Sequence, residues 1–355
     1  MERALALARR GLYGAHPNPM VGAVVVKGGR TVGEGFHRRF GGPHAEVEAL
    51  RRAGRSARGA TLYVTLEPCS TWGKTPPCTD AILRAGVGEV IFGANDPNPA
   101  HRGRALRLLR AAGVKARGGL LGEKCRALNE AFEKHQRTGL PFVTLKAAQS
   151  VDGRIADADG RARWISSRES RIEAHRLRAQ ADAVLAGVNT VLQDDPRLDV
   201  RHVRAWRQPL AVILDSSLRT PPDAKVVRAG RALLATTRRA ARRKPAVRAE
   251  LLILPQDPSG RVSLPALLRE LGRRGVGHVL VEGGGTVIGS FLREGLADRL
   301  VVFLAPMVIG GERSKASACW PDAWNRGREE LGLGLELLRV GRRGPDLVLE
   351  YRPRR

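Results

Sequence analysis

The stretches His44-Ala45-Glu46, Pro68-Cys69 and Pro77-Cys78 place one imidazole, one carboxylate and two thiols in the first quarter of the chain. Zinc held by one His and two Cys keeps a fourth position for water, and the metal lowers the pKa of that water toward neutrality. A glutamate near the metal that does not bind it can carry protons between the water and a departing amine. H-x-E followed by P-C and a second Cys is therefore typical of a zinc deaminase.

The sequence around these motifs predicts one strand and two helices that deliver the ligands. Thr61–Leu66 predicts a buried strand that ends just before Cys69. Pro76-Pro77 suits the first turn of a helix starting at Cys78, and His44 opens a second helical run. Helix N-termini favour thiolate over thiol, so these positions suit a metal. A buried His with two thiols close by chance is the alternative, and it does not account for this local pattern.

The spacing of the two cysteines distinguishes this chain from other deaminases. Eight residues lie between them, whereas enzymes that edit nucleosides or nucleic acids have P-C-x-x-C. With His16-Pro17-Asn18-Pro19 and Asp96-Pro97-Asn98-Pro99, this spacing resembles the deaminase half of the bifunctional riboflavin-biosynthesis deaminase/reductase family. For this half the resemblance implies the zinc ligands His44, Cys69 and Cys78, the proton shuttle Glu46 and the pyrimidine-binding residue Asn18.

Length and composition predict two domains and an intracellular enzyme. A chain of 355 residues exceeds the usual size of one domain. Four cysteines are too few for a disulfide framework, and Cys125 and Cys319 are expected to be ordinary thiols. The sequence contains no apolar run long enough to span a membrane and no signal-peptide pattern. We therefore expect a cytoplasmic protein without a membrane partner.

The formal net charge of +26 is the most unusual feature of the composition. Such an excess can indicate nucleic-acid binding. Here the arginines are spread along the whole chain, and aromatic residues make up only 4%. The densest basic run, Arg238–Lys244, is predicted to be a loop between two apolar strands. An arginine-rich composition with solvated faces, which also attracts phosphorylated small molecules, is the favoured interpretation, and nucleic-acid binding is the weaker alternative.

Alternating strand-like and helix-like segments predict an α/β protein. In the first half, the predicted strands are 21–26, 31–36, 61–66 and 89–94, and helices start at residues 44, 78 and 103. A polar helical connector, Leu121–Arg137, ends at Thr138–Pro141, where we place the boundary between domains 1–138 and 139–355. In the second half, strands are predicted at 142–147, 183–187, 210–215, 231–236, 250–254, 278–282 and 299–304, helices at 167–180, 264–274 and 285–294, and a terminal hairpin at 333–340 and 345–352.

A glycine turn in the second half is a candidate phosphate site. Val279–Glu282 predicts a strand that runs into Gly283-Gly284-Gly285-Thr286 and then into a helix. Bare backbone N–H groups and the helix dipole at such a turn suit an anion, although a turn without a ligand is the alternative. The turn is not G-x-G-x-x-G, so a Rossmann domain is not predicted. Gly187–Leu198, polar and turn-rich after a buried strand, is a second candidate.

The second half also resembles the reductase domain of the same family. Lys146, Ser150–Arg154, Trp164–Ser166, His175–Arg178 and Glu282–Gly284 occur in the family's order. The resemblance implies a cytidine-deaminase-like α/β/α domain followed by a dihydrofolate-reductase-like α/β domain that uses NADPH. The implied NADPH-binding residues are Ala148, Trp164, Thr190, Asp194, Ser216, Gly284, Gly285, Thr286, Val287, Ile288, Gly289 and Ser290. The implied substrate-binding residues are Ala162, Arg178, Leu198, Arg201 and Glu282.

The resemblance further implies two consecutive reactions on one small phosphorylated substrate. The first is zinc-dependent hydrolytic deamination of 2,5-diamino-6-ribosylamino-4(3H)-pyrimidinone 5′-phosphate, and the second is NADPH-dependent reduction of its ribosyl group to ribityl. Family members associate as dimers or tetramers, so a homo-oligomer is expected. The alternatives are a zinc deaminase of a nucleic-acid base with an accessory binding domain, a chain with one active domain and one scaffold, and a non-enzymatic binding protein.

Three stretches depart from the family's usual pattern. Thr71-Trp72 stands where the family has a His directly after Cys-Ser. Asn98–Ala105 is less glycine-rich and less apolar than usual, and Ala162 replaces a substrate-contacting Ser. None of these changes removes a predicted zinc ligand or the predicted proton shuttle.

Overall fold

The computed structural model describes residues 1–99, 101–242, 248–320 and 332–354. The chain forms two compact units, Met1–Gly139 and Leu140–Arg355, called here the N-terminal and C-terminal units. Within the described ranges, no helix has both the length and the apolar character needed to cross a membrane. The last two residues of the predicted basic loop, 243 and 244, lie outside the described residues, and its first four, Arg238–Ala241, form a short helix instead of a loop.

The N-terminal unit is built on a five-stranded sheet in the order β2-β1-β3-β4-β5. The strands are β1 (Gly22–Lys27), β2 (Arg30–Phe36), β3 (Thr61–Leu66), β4 (Glu89–Ala94) and β5 (Lys115–Arg117). The helices are α1 (Glu2–Ala8), α2 (Ala45–Ala53), α3 (Cys78–Arg84), α4 (Arg104–Ala111), α5 (Gly122–Leu128) and α6 (Glu130–Thr138). β1 pairs antiparallel with β2 and β3, whereas β3, β4 and β5 are parallel.

Helices cover both faces of this sheet. Alternate side chains of a strand point to opposite faces. On β1, Ala23 and Val25 pack in one core with Ala49 of α2, whereas Val24 packs in another with Leu7 of α1. This layering confirms the predicted α/β/α architecture of the first domain.

Two glycines let α2 lie directly on β2. A Cβ atom at Gly35 would overlap the carbonyl oxygen of Ala45, and one at Gly33 would overlap that of Ala49. The start of α2, with His44 as its N-cap, is therefore held beside the end of β2. The parallel strands β3 and β4 end at one edge of the sheet, and the loops that follow parallel strands there are the usual place for a site.

The C-terminal unit contains a nine-stranded sheet in the order β11-β10-β9-β8-β12-β6-β13-β16-β15 and a two-stranded ribbon of β14 and β7. Its strands are β6 (Phe142–Ser150), β7 (Arg154–Ala156), β8 (Ala183–Gly187), β9 (Leu210–Leu214), β10 (Ala232–Thr237), β11 (Glu250–Leu254), β12 (His278–Val281), β13 (Arg299–Ala305), β14 (Lys315–Ala316), β15 (Leu335–Arg343) and β16 (Asp346–Pro353). Its helices are α7 (Arg168–Gln180), α8 (Val188–Asp194), α9 (Lys225–Arg228), α10 (Arg238–Ala241), α11 (Leu264–Arg273) and α12 (Gly285–Arg293).

The large sheet is parallel except at one end. The seven strands from β11 to β13 in this order are paired in parallel, whereas the pairs β13–β16 and β16–β15 are antiparallel. Two apolar cores, one on each face, contain Leu185 and Val184 of the central strand β8. The predicted α/β fold with an antiparallel end is confirmed.

Two predicted segments differ in detail. The connector Leu121–Arg137 is two helices, α5 and α6, because the chain breaks at Asn129. The amide of Asn129 accepts from the backbone N of Met20 at 2.8 Å and donates to its carbonyl at 2.9 Å, which holds the break in place. The segment Gly187–Leu198 contains a helix, α8, which ends where Asp195 adopts a φ of 42°.

Candidate functional site

His44, Cys69 and Cys78 form a cluster whose ligand atoms all lie within 4.8 Å of one another. His44 Nδ1 is 3.2 Å from Cys78 Sγ and 3.4 Å from Cys69 Sγ. Tetrahedral zinc with its usual bond lengths places nitrogen and sulfur ligands about 3.6 Å apart. The three donors therefore fit a zinc ion with one open position.

Each ligand sits at the end of a secondary-structure element. His44 is the N-cap of α2, Cys78 is the first residue of α3, and Cys69 follows the end of β3. The backbone N–H of Cys78 donates to Cys69 Sγ at 3.2 Å. On the far side of the imidazole, the Thr75 hydroxyl is 3.4 Å from His44 Nε2, and such outer hydrogen bonds orient a ligating ring.

The two thiols are electrostatically unequal. The hydrogen bond from Cys78 lowers the pKa of Cys69 to about 4, against the opposing effect of burial. The same shared proton, together with burial, raises the pKa of Cys78. The environment therefore favours the thiolate form of Cys69, and thiolates are the form that ligates metals.

Glu46 lies in the first turn of α2, beside the cluster, with only 4% of its surface exposed. Burial raises the pKa of its carboxyl group, and the charge of His44 partly offsets this rise. A carboxyl group whose pKa moves toward neutrality can both accept and return a proton. Its position and its environment suit the predicted proton shuttle.

A cleft of about 330 Å³ opens in front of these groups. This volume falls in the range of small-molecule sites. Besides His44, Glu46 and Cys69, the residues on its wall include Asn18, His37, Glu67, Thr71, Lys74 and His101. The cleft therefore brings the predicted pyrimidine-binding Asn18 to the same site as the predicted zinc ligands.

Asn18 is oriented by His37, which sequence reasoning missed. His37 Nδ1 lies 3.0 Å from the carbonyl oxygen of Pro43, so this nitrogen carries the proton and donates it. His37 Nε2 then accepts from Asn18 Nδ2 at 3.1 Å. Burial lowers the pKa of His37, which favours this neutral form of the ring. The carbonyl oxygen of Asn18 is thereby left as the acceptor for a ligand.

Glu67 is a second residue that the sequence reading did not single out. Its buried carboxylate accepts from the backbone N–H groups of Asp96 at 3.3 Å, Gly103 at 3.0 Å and Ala105 at 3.2 Å. These bonds fasten the loop that follows β4 to the end of β3. Asn98 and His101, which lie on this loop, line the cleft.

Glu67→Gln is expected to loosen this wall of the cleft. The amide keeps the shape but turns one acceptor into a donor, so at least one backbone N–H loses its partner, at about 1–3 kcal/mol of unfolding free energy. We expect a lower melting temperature and a several-fold higher KM for the substrate of the N-terminal unit. Glu89→Gln is the matched control, because Glu89 contacts Thr61 and Arg117 away from the cleft. Equal effects of the two substitutions would contradict the anchoring role.

Thr71, two residues after Cys69, contacts the loop after β4. Thr71 Oγ1 is 3.3 Å from His101 Nδ1. Its neighbour Trp72 is 74% exposed, and Lys74 Nζ lies 4.0 Å from the centre of the Phe40 ring. The two stretches that depart from the family's usual pattern, 71–72 and 98–105, thus both contribute residues to this cleft.

In the C-terminal unit, Arg178 and Glu282 form a buried, two-pronged ion pair. Arg178 Nε and Nη2 lie 2.6 and 2.8 Å from the two carboxylate oxygens, and Nη1 donates to the carbonyl of Asp199 at 2.9 Å. Burial alone would raise the pKa of Glu282, but the charge and hydrogen bonds of Arg178, with the charge of Lys146, lower it to about 2. Burial lowers the pKa of Lys146.

Most of the predicted substrate residues lie around this pair. Arg201 pairs with the Asp199 carboxylate, and its backbone N–H donates to His175 Nδ1 at 3.2 Å. Leu198 is buried, with a φ of 51° that turns the chain toward Asp199. Ala162 lies in the segment after β7, outside this network of ion pairs and hydrogen bonds.

The predicted NADPH residues lie mainly at one edge of the large sheet. Four strands of this sheet, β6, β8, β9 and β12, are parallel. The predicted residues Ala148, Thr190, Asp194, Ser216 and Gly284–Ser290 lie at or after the carboxyl ends of these strands. A Cβ atom at Gly187 would come within 2.9 Å of Val287 Cγ2, so the end of β8 and the start of α12 are in close contact. Trp164 is 68% exposed, with Arg171 stacked 4.3 Å from its ring centre.

The glycine turn before α12 has the shape of a phosphate cradle. Gly284 is the N-cap of this helix, and a Cβ atom there would meet no atom within 4 Å. Val287 and Ile288 donate their backbone N–H groups to the Gly284 carbonyl, whereas Gly285 and Thr286 precede the first bond within the helix. The open backbone at Gly284 and the helix start beside it suit a phosphate group, so the residues present agree with NADPH as cofactor.

Alanine substitutions in the turn are expected to separate packing from cofactor binding. Gly285→Ala would push a Cβ atom into the carbonyl oxygen of Ala316 and should lower the unfolding free energy by about 1–3 kcal/mol. Gly284→Ala has room and an ordinary φ of −68°, so its stability should change by less than about 1 kcal/mol. It should instead weaken NADPH binding, measured by titration calorimetry. Unchanged NADPH affinity in Gly284→Ala would contradict the placement of the phosphates.

Comparison with known proteins identifies a different family model in each half of the chain. A model of the cytidine and deoxycytidylate deaminase zinc-binding region matches residues 1–94, and a model of the RibD C-terminal domain matches residues 141–349. The riboflavin biosynthesis protein RibD of Aquifex aeolicus (strain VF5) is 43% identical over 99% of this chain and 97% of its own length. RibD of Escherichia coli (strain K12) is 43% identical over 88% of each chain.

Solved structures agree over the whole length. Acinetobacter baumannii RibD, form 1, is 37% identical, covers 100% of this chain and 98% of its own, and superposes with a TM-score of 0.88. A Thermotoga maritima structure is 36% identical, covers 99% and 97% of the two chains, and has a TM-score of 0.83. That structure is described as a diaminohydroxyphosphoribosylaminopyrimidine deaminase/5-amino-6-(5-phosphoribosylamino)uracil reductase.

Proposed function

We propose specific roles for residues of this chain in two reactions, because the chain belongs to the RibD family of riboflavin-biosynthesis enzymes. The chain is a zinc-dependent deaminase and an NADPH-dependent reductase. The substrate proposed for the deaminase is 2,5-diamino-6-ribosylamino-4(3H)-pyrimidinone 5′-phosphate, and the reductase is proposed to convert the ribosyl group of its product to ribityl. The cluster of His44, Cys69 and Cys78 beside the buried Glu46 carries this proposal.

In the N-terminal unit, the three ligands are proposed to hold zinc, which when bound lowers the pKa of water and so supplies a nucleophile at neutral pH. Water attacks C2 of the pyrimidine. Glu46 takes a proton from the water and returns it to the amino group on C2, so that ammonia leaves. The carbonyl oxygen of Asn18, fixed by His37, accepts a hydrogen bond from the pyrimidine and orients its ring.

In the C-terminal unit, the glycine turn before α12 would hold NADPH, which would supply hydride chemistry for the reduction at C1′, with the accompanying proton taken from solvent. Arg178 is proposed to bind the phosphate of the substrate. A guanidinium has five N–H donors, of which Glu282 and Asp199 accept three, so two remain for the phosphate. Glu282 holds the guanidinium in a fixed plane, and Arg201 adds a second positive charge.

The zinc assignment is tested by removing one cysteine at a time. Cys78→Ala is expected to lose bound zinc and deamination together, because two ligands rarely hold the ion, while the reductase activity of the same chain persists. Cys125→Ala is the matched control, since Cys125 is equally buried but lies outside the ligand cluster. Zinc content by atomic emission and ammonia release are the measurements. A Cys78→Ala protein that retains stoichiometric zinc and deaminase activity would refute the ligand set.

We propose that the enzyme is cytoplasmic and works as a homo-oligomer on a small phosphorylated pyrimidine, without a nucleic-acid or membrane partner. The alternative of a nucleic-acid-base deaminase is not favoured, because the family match extends through the reductase half. RNA binding with a steep salt dependence would revive it.

A further inference from the structure

His101 is an imidazole on the wall of the deaminase cleft that the roles proposed above do not use. It lies on the loop after β4, and its Nδ1 is 3.3 Å from the hydroxyl of Thr71. Its backbone N–H donates to the carbonyl of Asn98 at 3.0 Å, and its carbonyl accepts from Arg104 at 3.0 Å. The three bonds to the Glu67 carboxylate hold the same loop. The ring is therefore fixed from its backbone and from one of its two nitrogens.

The hydrogen bond to Thr71 decides which nitrogen can meet a ligand. A threonine hydroxyl can donate or accept, so it satisfies Nδ1 in either tautomer. Nε2 is then the nitrogen available to a molecule in the cleft. The ring is half-buried, so such a bond would form where water is partly excluded and would be stronger than at an open surface.

The charges around the cleft indicate which part of the substrate this nitrogen meets. At the zinc end lies the carboxyl group of Glu46, which disfavours an anion there. Among the described residues of the wall, His44 is committed to the cluster, and His37 is buried with both nitrogens bonded. The other basic side chains on the described wall are Lys74 and His101, and its neutral N–H donors include Trp72, Asn98 and Gln136. Of the two basic side chains, only the His101 ring is fixed by a hydrogen bond.

We propose that His101 contacts the 5′-phosphate of the deaminase substrate through Nε2, and that Thr71 is a positioning residue that holds the imidazole in the required orientation. This inference rests on the proposed function, because it assumes a phosphorylated pyrimidine in the cleft. It assigns to this chain a substrate contact from the loop after β4, in the stretch 98–105 that departs from the family's usual pattern, supported by Thr71 from the other such stretch.

The test compares phosphorylated and dephosphorylated substrate in three variants of the full, zinc-loaded chain. His101→Ala should raise the deaminase KM for the phosphorylated substrate about tenfold or more, since it removes a hydrogen bond to a charged group. Its kcat should remain within about twofold. The KM for the dephosphorylated substrate should not change. Arg102→Ala is the matched control, because Arg102 is exposed on the same loop and is absent from the described wall of the cleft.

The role of Thr71 is tested by a double-mutant cycle. Thr71→Val keeps the shape, removes the hydroxyl and should raise the same KM about threefold, but it should have no further effect in a His101→Ala background. Additive effects would refute the positioning role. Equal changes with both substrates, or an equal change in Arg102→Ala, would refute the phosphate contact.

A binding measurement separates this inference from the proposed function. In the Glu46→Gln background, where turnover is expected to be minimal, calorimetry should show about tenfold weaker binding of the phosphorylated substrate when His101 is also replaced by Ala. If the parent chain neither binds nor deaminates this substrate, the proposed function fails. If it does both and His101→Ala changes neither, only the present inference fails.

Discussion

Glu46→Gln is expected to lower the kcat of deamination about a hundredfold to ten-thousandfold, because the amide cannot accept a proton from water and return it to the leaving amine. The zinc content should be unchanged, since Glu46 is not among the ligand atoms of the cluster. The reductase activity should also be unchanged, as it belongs to the other unit. Ammonia release, metal analysis and NADPH oxidation on one preparation measure the three quantities.

Glu48→Gln is the matched control for this substitution. Glu48 lies in the same first turn of α2, but it pairs with Arg51 and Arg52 and is not on the described wall of the cleft. We expect near-normal deamination in this variant. The shuttle assignment is wrong if Glu46→Gln retains deamination, or if Glu48→Gln loses it to the same degree.

Glu282→Ala is expected to destabilise the C-terminal unit by about 3–5 kcal/mol and to abolish reduction. Removing one partner of a buried ion pair leaves the other charge buried without compensation, here the guanidinium of Arg178. Deamination by the N-terminal unit should persist below the temperature at which the variant unfolds. Chemical denaturation, followed together with both activities, measures the effect.

A surface ion pair supplies the control for Glu282→Ala. Glu336 and Arg352 pair at 3.3 Å with side chains 50% and 48% exposed, so Glu336→Ala should cost less than about 1 kcal/mol. If the two substitutions have equal effects, the buried pair does not stabilise the unit as argued.

The contribution of Glu282 to the free energy of unfolding is also expected to depend on pH. Its pKa falls on folding from 4.5 to about 2, so the stabilisation is complete above about pH 5 and is lost as the pH falls through about 2. The unfolding free energy of the Glu282→Ala variant should therefore decline less over this range than that of the parent chain. Parallel declines would show that the pair does not carry this dependence.

The zinc cluster was predictable because each of its ligands lies in a short sequence motif at the end of a predicted helix or strand. His44 and Cys78 stand at predicted helix starts and Cys69 at a predicted strand end, so the three short motifs sufficed. Glu67 was not predictable in this way, because its role depends on hydrogen bonds to residues up to 38 positions away. Its only sequence signal was a carboxylate at the end of a buried strand.

Elsewhere in the chain, too, features set by local sequence were predictable and features set by distant contacts were not. Most strands followed from apolar periodicity, which is a local property, whereas the order of the strands in each sheet depends on pairing between distant segments. The break between α5 and α6 did not follow from periodicity either, since Asn129 bonds to Met20 across 109 residues. The pairing of Arg178 with Glu282 spans 104 residues, and only the family resemblance placed both at one site. The contact of Thr71 with His101 joins two departures that the sequence alone presents as unrelated.

The most direct test of the bifunctional assignment is the mass of the product after zinc-loaded enzyme acts on the diaminopyrimidine ribosyl phosphate, with and without NADPH. We predict exchange of one amino group for oxygen without NADPH, and the gain of two further hydrogens when NADPH is added. A substrate whose mass does not change without NADPH would contradict the deaminase assignment. A deaminated product that gains no hydrogen with NADPH would contradict the reductase assignment.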